Sequence, residues 1–153
     1  MCALHKGNGF TLVKILIFVA LGIAVIVIIL GALATARVKG NDAAVKGNMN
    51  TIAIQAKTYV REHETYATQA IDDVVGPTVC TLSGTMFAED DTVRSALALA
   101  VYASGGAALC ALGNEDTAYA IQVPLRMGGY WCVDSYGAAS YADTLLLSTA
   151  ACP

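Results

Sequence analysis

Five cysteines occur in the chain, Cys2 near its start and four that carry its clearest chemistry: Cys80, Cys110, Cys132 and Cys152, with 29, 21 and 19 residues between successive members. Thiols so placed either pair as disulfides or ligate zinc. Structural zinc sites draw on closely spaced Cys-x-x-Cys pairs, and this chain has none. These four, apart from Cys2, therefore read as two disulfides formed in an oxidising compartment. Four cysteines allow three pairings, and the sequence does not choose among them. Histidine is scarce: His5 stands near the start and His63 on a predicted helix, which leaves no basis for a metal centre or triad built around histidine. The carboxylates Glu89, Asp90 and Asp91, like Glu115 and Asp116, lack the alternating spacing of a calcium loop and read as helix caps and solubilising charge. Trp131, flanked by Tyr130 and Tyr136, reads as core beside a disulfide rather than as an exposed adhesive patch. No catalytic residue, metal site or cofactor is predicted.

What positions the cysteines is a chain of two characters. Its 153 residues suit one modest domain plus an appendage. It is 56% hydrophobic and 14% charged, with mean hydropathy +0.59, against about 25% charged in an ordinary soluble domain. Residues 1 to 61 carry seven Lys/Arg and one acid, a balance of +6; residues 62 to 153 carry two Lys/Arg and eleven acids, a balance of −9. The acidic half offers no footprint for nucleic acid, which needs clustered cations. From Ile15 to Ala36 no charge occurs, a run long enough to cross a hydrocarbon core of about 30 Å as a helix. Ala34-Thr35-Ala36 mimics a signal-peptidase site, but an apolar region of that length exceeds a secretory signal. Past Arg37, apolar residues recur at Val38, Val45, Met49, Ile52, Ala56, Tyr59 or Val60, and Tyr66, along one helical face. The spacing predicts one helix from Phe10 to about Tyr66, roughly 85 Å long, which must lie in lipid or against copies of itself.

The start of that helix carries a specific motif. Lys6-Gly7-Asn8-Gly9, then Phe10-Thr11-Leu12-Val13 and the apolar run, resembles the class III signal of type IV pilins and type II secretion pseudopilins. The resemblance implies a leader of residues 1–9, cleavage by prepilin peptidase between Gly9 and Phe10, and N-methylation of Phe10. Gly9 presents the peptidase with a backbone lacking Cβ. Because the scissile bond precedes the apolar run, the helix survives cleavage, first as anchor and later as filament core. The family typically has Glu as the fifth residue after the cut, where it neutralises a neighbouring subunit's amine; this chain has Lys14. Lys14 beside such an amine adds repulsion, unless its side chain snorkels to the headgroups.

The rest reads as a small head. Gly76-Pro77 breaks an irregular stretch over 67–90, Asp90 or Asp91 caps a helix at 92–104, and Gly105-Gly106 ends it. Strands are predicted at 107–112, 118–125 and 130–134, with a further one at 144–148, an antiparallel meander. If the first and third flank the second, Cys110 and Cys132 lie about 9.5 Å apart, too far to bridge. That favours Cys80 with Cys110 and Cys132 with Cys152. The fold class is thus α+β and pilin-like: a long N-terminal helix, its first half transmembrane, packed on a small antiparallel sheet. The divisions are 1–9 leader, 10–36 transmembrane and filament-core half, 37–66 amphipathic half, and 67–153 extracytoplasmic head.

The resemblance implies a structural, non-enzymatic subunit of a type IV pilus-like filament. Its partners are further copies of itself in a helical homopolymer, prepilin peptidase, an inner-membrane assembly platform and the membrane before assembly, with no specific nucleic acid. It is expected in the cytoplasmic membrane as a single-pass protein, then in an extracellular filament. Lys6 and Lys14 on the cytoplasmic flank agree with that orientation. The alternatives are a type II secretion pseudopilin, a monomeric single-pass anchor presenting a disulfide-bonded binding domain, and a secreted binding protein released at Ala36.

Overall fold

The computed structural model describes residues 8–68, 71, 74–113, 116–145 and 150–153, with side chains of the first helix from Leu12 onward. The architecture is α+β. Helix α1 spans Asn8–His63, followed by strand β1 (Val74–Gly76), a 3-10 turn (Val79–Thr81), short helix α2 (Met86–Glu89), helix α3 (Asp91–Ser104) and strands β2 (Leu109–Gly113), β3 (Ala118–Pro124), β4 (Tyr130–Asp134) and β5 (Ala139–Ala142). The sheet is an antiparallel meander in the order β1-β2-β3-β4-β5. The chain divides into two compact units, Met1–Arg37 and Val38–Pro153, so the amphipathic half of α1 belongs with the sheet.

No proline precedes Pro77, so nothing removes a backbone donor from α1. The helix stops at His63 because Glu64 turns into the left-handed region at φ 68° while its N–H still reaches the Val60 carbonyl at 2.8 Å. Within the second unit Val45, Met49, Ile52, Ala56 and Tyr59 are buried, a strip with steps of four and three residues that follows one helical face. They form a single core with Phe87, Leu112, Tyr119, Ile121 and Val133, into which α3 contributes Val93, Leu97 and Ala100. Tyr119 sits at its centre, edge-on to both Tyr66 and Phe87, and burial pushes its hydroxyl pKa up, with Tyr66 and Asp134 adding to the shift.

Helix α3 begins as the sequence indicates: the Asp90 carboxylate accepts from the Thr92 and Val93 N–H groups at 2.9 Å, and Gly105 closes the helix at φ 73°. Three of the strands also lie where the turn residues place them. Two regions differ. The stretch over 67–90 is not irregular; it holds β1, the 3-10 turn and α2. The last strand is β5 at Ala139–Ala142 rather than at 144–148: Thr144 and Leu145 are outside any strand, and residues 146–149 lie outside the described residues. Ile52 is fully buried whereas Ile54, two residues on, is 61% exposed. Ile52→Ala is expected to cost about 2–5 kcal/mol and Ile54→Ala less than about 0.5 kcal/mol. Denaturation of the full chain in detergent, followed by Trp131 fluorescence, reads the difference.

Candidate functional site

Two structures bear on function: the apolar half of α1 and the cysteine-stapled head. In the first unit every described side chain from Leu12 to Ala36 is exposed, including Phe18 at 64% and Ile28 at 72%. The helix is long and apolar enough to cross a membrane. Gly9 and Phe10 lie within the backbone bounds of α1, and Lys14 is exposed on it, among Leu12, Val13, Ile15 and Leu16. Among the described residues, nothing in the first unit covers this surface.

In the head, Cys80 is bonded to Cys110 and Cys132 to Cys152, with Cα separations of 5.1 and 5.8 Å. Register explains why Cys110 and Cys132 do not meet. Cys110 stands opposite Ile121 and Cys132 opposite Gln122, and successive residues of a strand point to opposite faces. Cys110 therefore faces the helices and Cys132 the other side of the sheet. That outer side is covered by the end of the chain. Gln122 Nε2 donates to the Thr144 carbonyl at 2.7 Å, and the Cys152 N–H donates to Asp134 Oδ2 at 2.9 Å. Ala150 packs on buried Ala111 and Ala120, whose methyl side chains let the backbone lie close to the sheet. Both faces of the sheet are thus occupied, each with one disulfide.

Three buried carboxylates do structural work that sequence reasoning missed. Asp42 on α1 accepts from the Arg126 and Met127 N–H groups at 2.7 and 3.2 Å, tying the helix to the β3–β4 turn. Its signal was legible: it is the one acid in residues 1 to 61 and falls three residues before Val45 on the apolar face. Asp134 Oδ1 accepts from Tyr136 and Ala138 N–H, the side-chain turn that an Asp-Ser-Tyr-Gly run favours. Asp116, at φ 63°, accepts from Ile71 N–H through its carboxylate and from Tyr66 N–H through its carbonyl.

The other flagged residues have local partners. Asp90 caps α3 and also accepts from Gln55 Nε2 at 2.8 Å; Glu89 accepts from Gly84 N–H at 2.9 Å; Asp91 pairs with Arg94. Glu115 lies outside the described residues. His63 stacks on Tyr59 with ring centroids 4.1 Å apart. Trp131 is half-buried against the core, with Lys46 Nζ 4.6 Å from its ring centroid, while Tyr136 is exposed.

The class that this geometry defines is an α+β head, stapled on both faces of its sheet, continuous with a helix long and apolar enough to span a bilayer. No family model, curated protein or solved structure matches the chain. Because Asp42 holds two N–H groups of the β3–β4 turn, Asp42→Ala leaves both donors unmatched. It is expected to lower head stability by about 1–3 kcal/mol, with Asp42→Asn recovering part, as read by the denaturation midpoint of the full chain.

Proposed function

We propose that the chain is the structural subunit of a type IV pilus-like surface filament. Residues 1–9 are the leader, prepilin peptidase cuts between Gly9 and Phe10, and Phe10 is N-methylated. The subunit waits in the cytoplasmic membrane with its leader inside, is drawn into the fibre by an inner-membrane platform, and polymerises through α1 with its acidic heads outward. The observation that carries this reading is the change of surface along one helix. Up to Ala36 every described side chain is exposed and nearly all are apolar, whereas from Asp42 onward one strip is buried and the rest is mostly polar, with Ile54 the large apolar exception. Such a helix fits an element used first in lipid and then against copies of itself. Four cysteines locked in disulfides suit a head exposed outside the cell.

Lys14 favours a second reading, a monomeric single-pass anchor presenting the stapled head. A lysine ammonium about 4 Å from a neighbour's N-terminal amine costs roughly 4 kcal/mol at an effective dielectric of 20. Filament growth then requires an acidic partner subunit or a different neutralising contact.

Mass spectrometry of the N-terminal peptide in sheared surface material tests the proposal. The expected terminus is methylated Phe10; a terminus at Arg37, or retained Met1, contradicts it. Lys14→Glu is expected to leave that terminus unchanged and to raise filament yield. An unchanged or lower yield removes the repulsion argument.

A further inference from the structure

The head carries an apolar knob and an apolar-rimmed groove at different places on its surface. Among the described residues, Ile54 is the one large apolar side chain exposed on α1 beyond Leu33, at 61%. Lys57 and Arg61 follow it at i+3 and i+7, both exposed, so the knob lies in a basic stripe. Between α1 and α3 run two adjoining grooves of about 480 and 460 Å³, which share Asn48 and Leu99. Ala44 and Thr51 line their α1 side, Tyr102 and Asp91 their α3 side. Leu99 and Tyr102 are 57% and 84% exposed, an apolar rim to the groove. The Asp91 end of the groove is acidic on balance, with Glu89 and Asp90 just before it and Arg94 paired to Asp91; Arg126 lines the opposite end, with Tyr102.

Ile54 lies about 100° round the helix axis from the α1 residues that line the groove. A head cannot fill its own groove with its own Ile54. We propose that Ile54 of one copy, flanked by Lys57 and Arg61, docks in the α1–α3 groove of a second copy, setting the basic stripe against Asp91. The occupant is a second copy because knob and groove match in both polarity and charge sign. The joined surfaces are different, so the contact is heterologous and repeats without closing, the interface type that generates helical fibres. This rests on the filament reading above and adds to it a head-to-head contact independent of the apolar half of α1.

The test co-expresses two full-length chains of different tag length, one carrying Ile54→Cys and the other Leu99→Cys, and oxidises intact cells. Both positions are exposed, so neither substitution disturbs the core. The mixed dimer is expected in sheared fibres at about tenfold the yield of the pair Ile54→Cys with Tyr136→Cys, because docking raises the effective concentration of the paired thiols. Adding Lys57→Glu and Arg61→Glu to the first chain is expected to return the yield to that control level. Fibres that give no more Ile54–Leu99 dimer than the control overturn the docking face, as does a yield unmoved by charge reversal. If the wild-type chain forms no fibres, the filament reading fails, and the same oxidation of membranes decides the contact: the mixed dimer sustains it and its absence overturns it.

Discussion

An apolar surface that stands exposed among the described residues governs the rest of the molecule. Between Leu12 and Leu33 sixteen large apolar side chains are exposed. At about 1.5–3 kcal/mol each, burying them is worth about 25–50 kcal/mol, more than the whole stability of an ordinary domain, about 5–15 kcal/mol. In the proposed reading the cover comes from outside the chain. There, lipid supplies it for a single copy before assembly. Neighbouring copies supply it in the proposed fibre.

The head is built so that this demand does not reach it. Beyond Val38 the same helix buries only one strip, and Asp42 marks the changeover with a carboxylate spent on the β3–β4 turn. The sheet is then closed on both faces, by α1 and α3 on one side and by the end of the chain on the other. Each face has its own disulfide, and the outer one fixes Cys152 beside the Asp134 carboxylate that already holds the β4–β5 turn.

Local signals explain what was legible in the sequence. Helix α3 announces itself through an Asp cap and a Gly-Gly stop, and β2 to β4 through turn residues between apolar runs. The apolar strip of α1 follows from periodicity alone. Strand β1 escapes because three residues are too few to show a period. Strand β5 escapes because Ala-Ser-Tyr-Ala at a half-exposed edge has no strong strand preference, while the apolar run at 144–148 drew the prediction to itself. Thr144, which opens that run, and Ala150 beyond it instead contact the outer face of the sheet, a tertiary role that no local pattern encodes. The partners of Asp42 and Asp134 are equally long-range. The proposed cut at Gly9 rests on a sequence motif, and its meaning lies in a reaction rather than in a packed site.

The central claim is that copies of this helix cover one another. Electron cryo-microscopy of fibres sheared from the cell surface tests it most directly. The account predicts a fibre whose axis is a bundle of α1 segments from residues 10–36, with helices about 8–10 Å apart and the β-sheets on the outside. A fibre with the sheets on its axis, or single copies whose Leu12–Ala36 segment is surrounded by lipid in every particle, contradicts it.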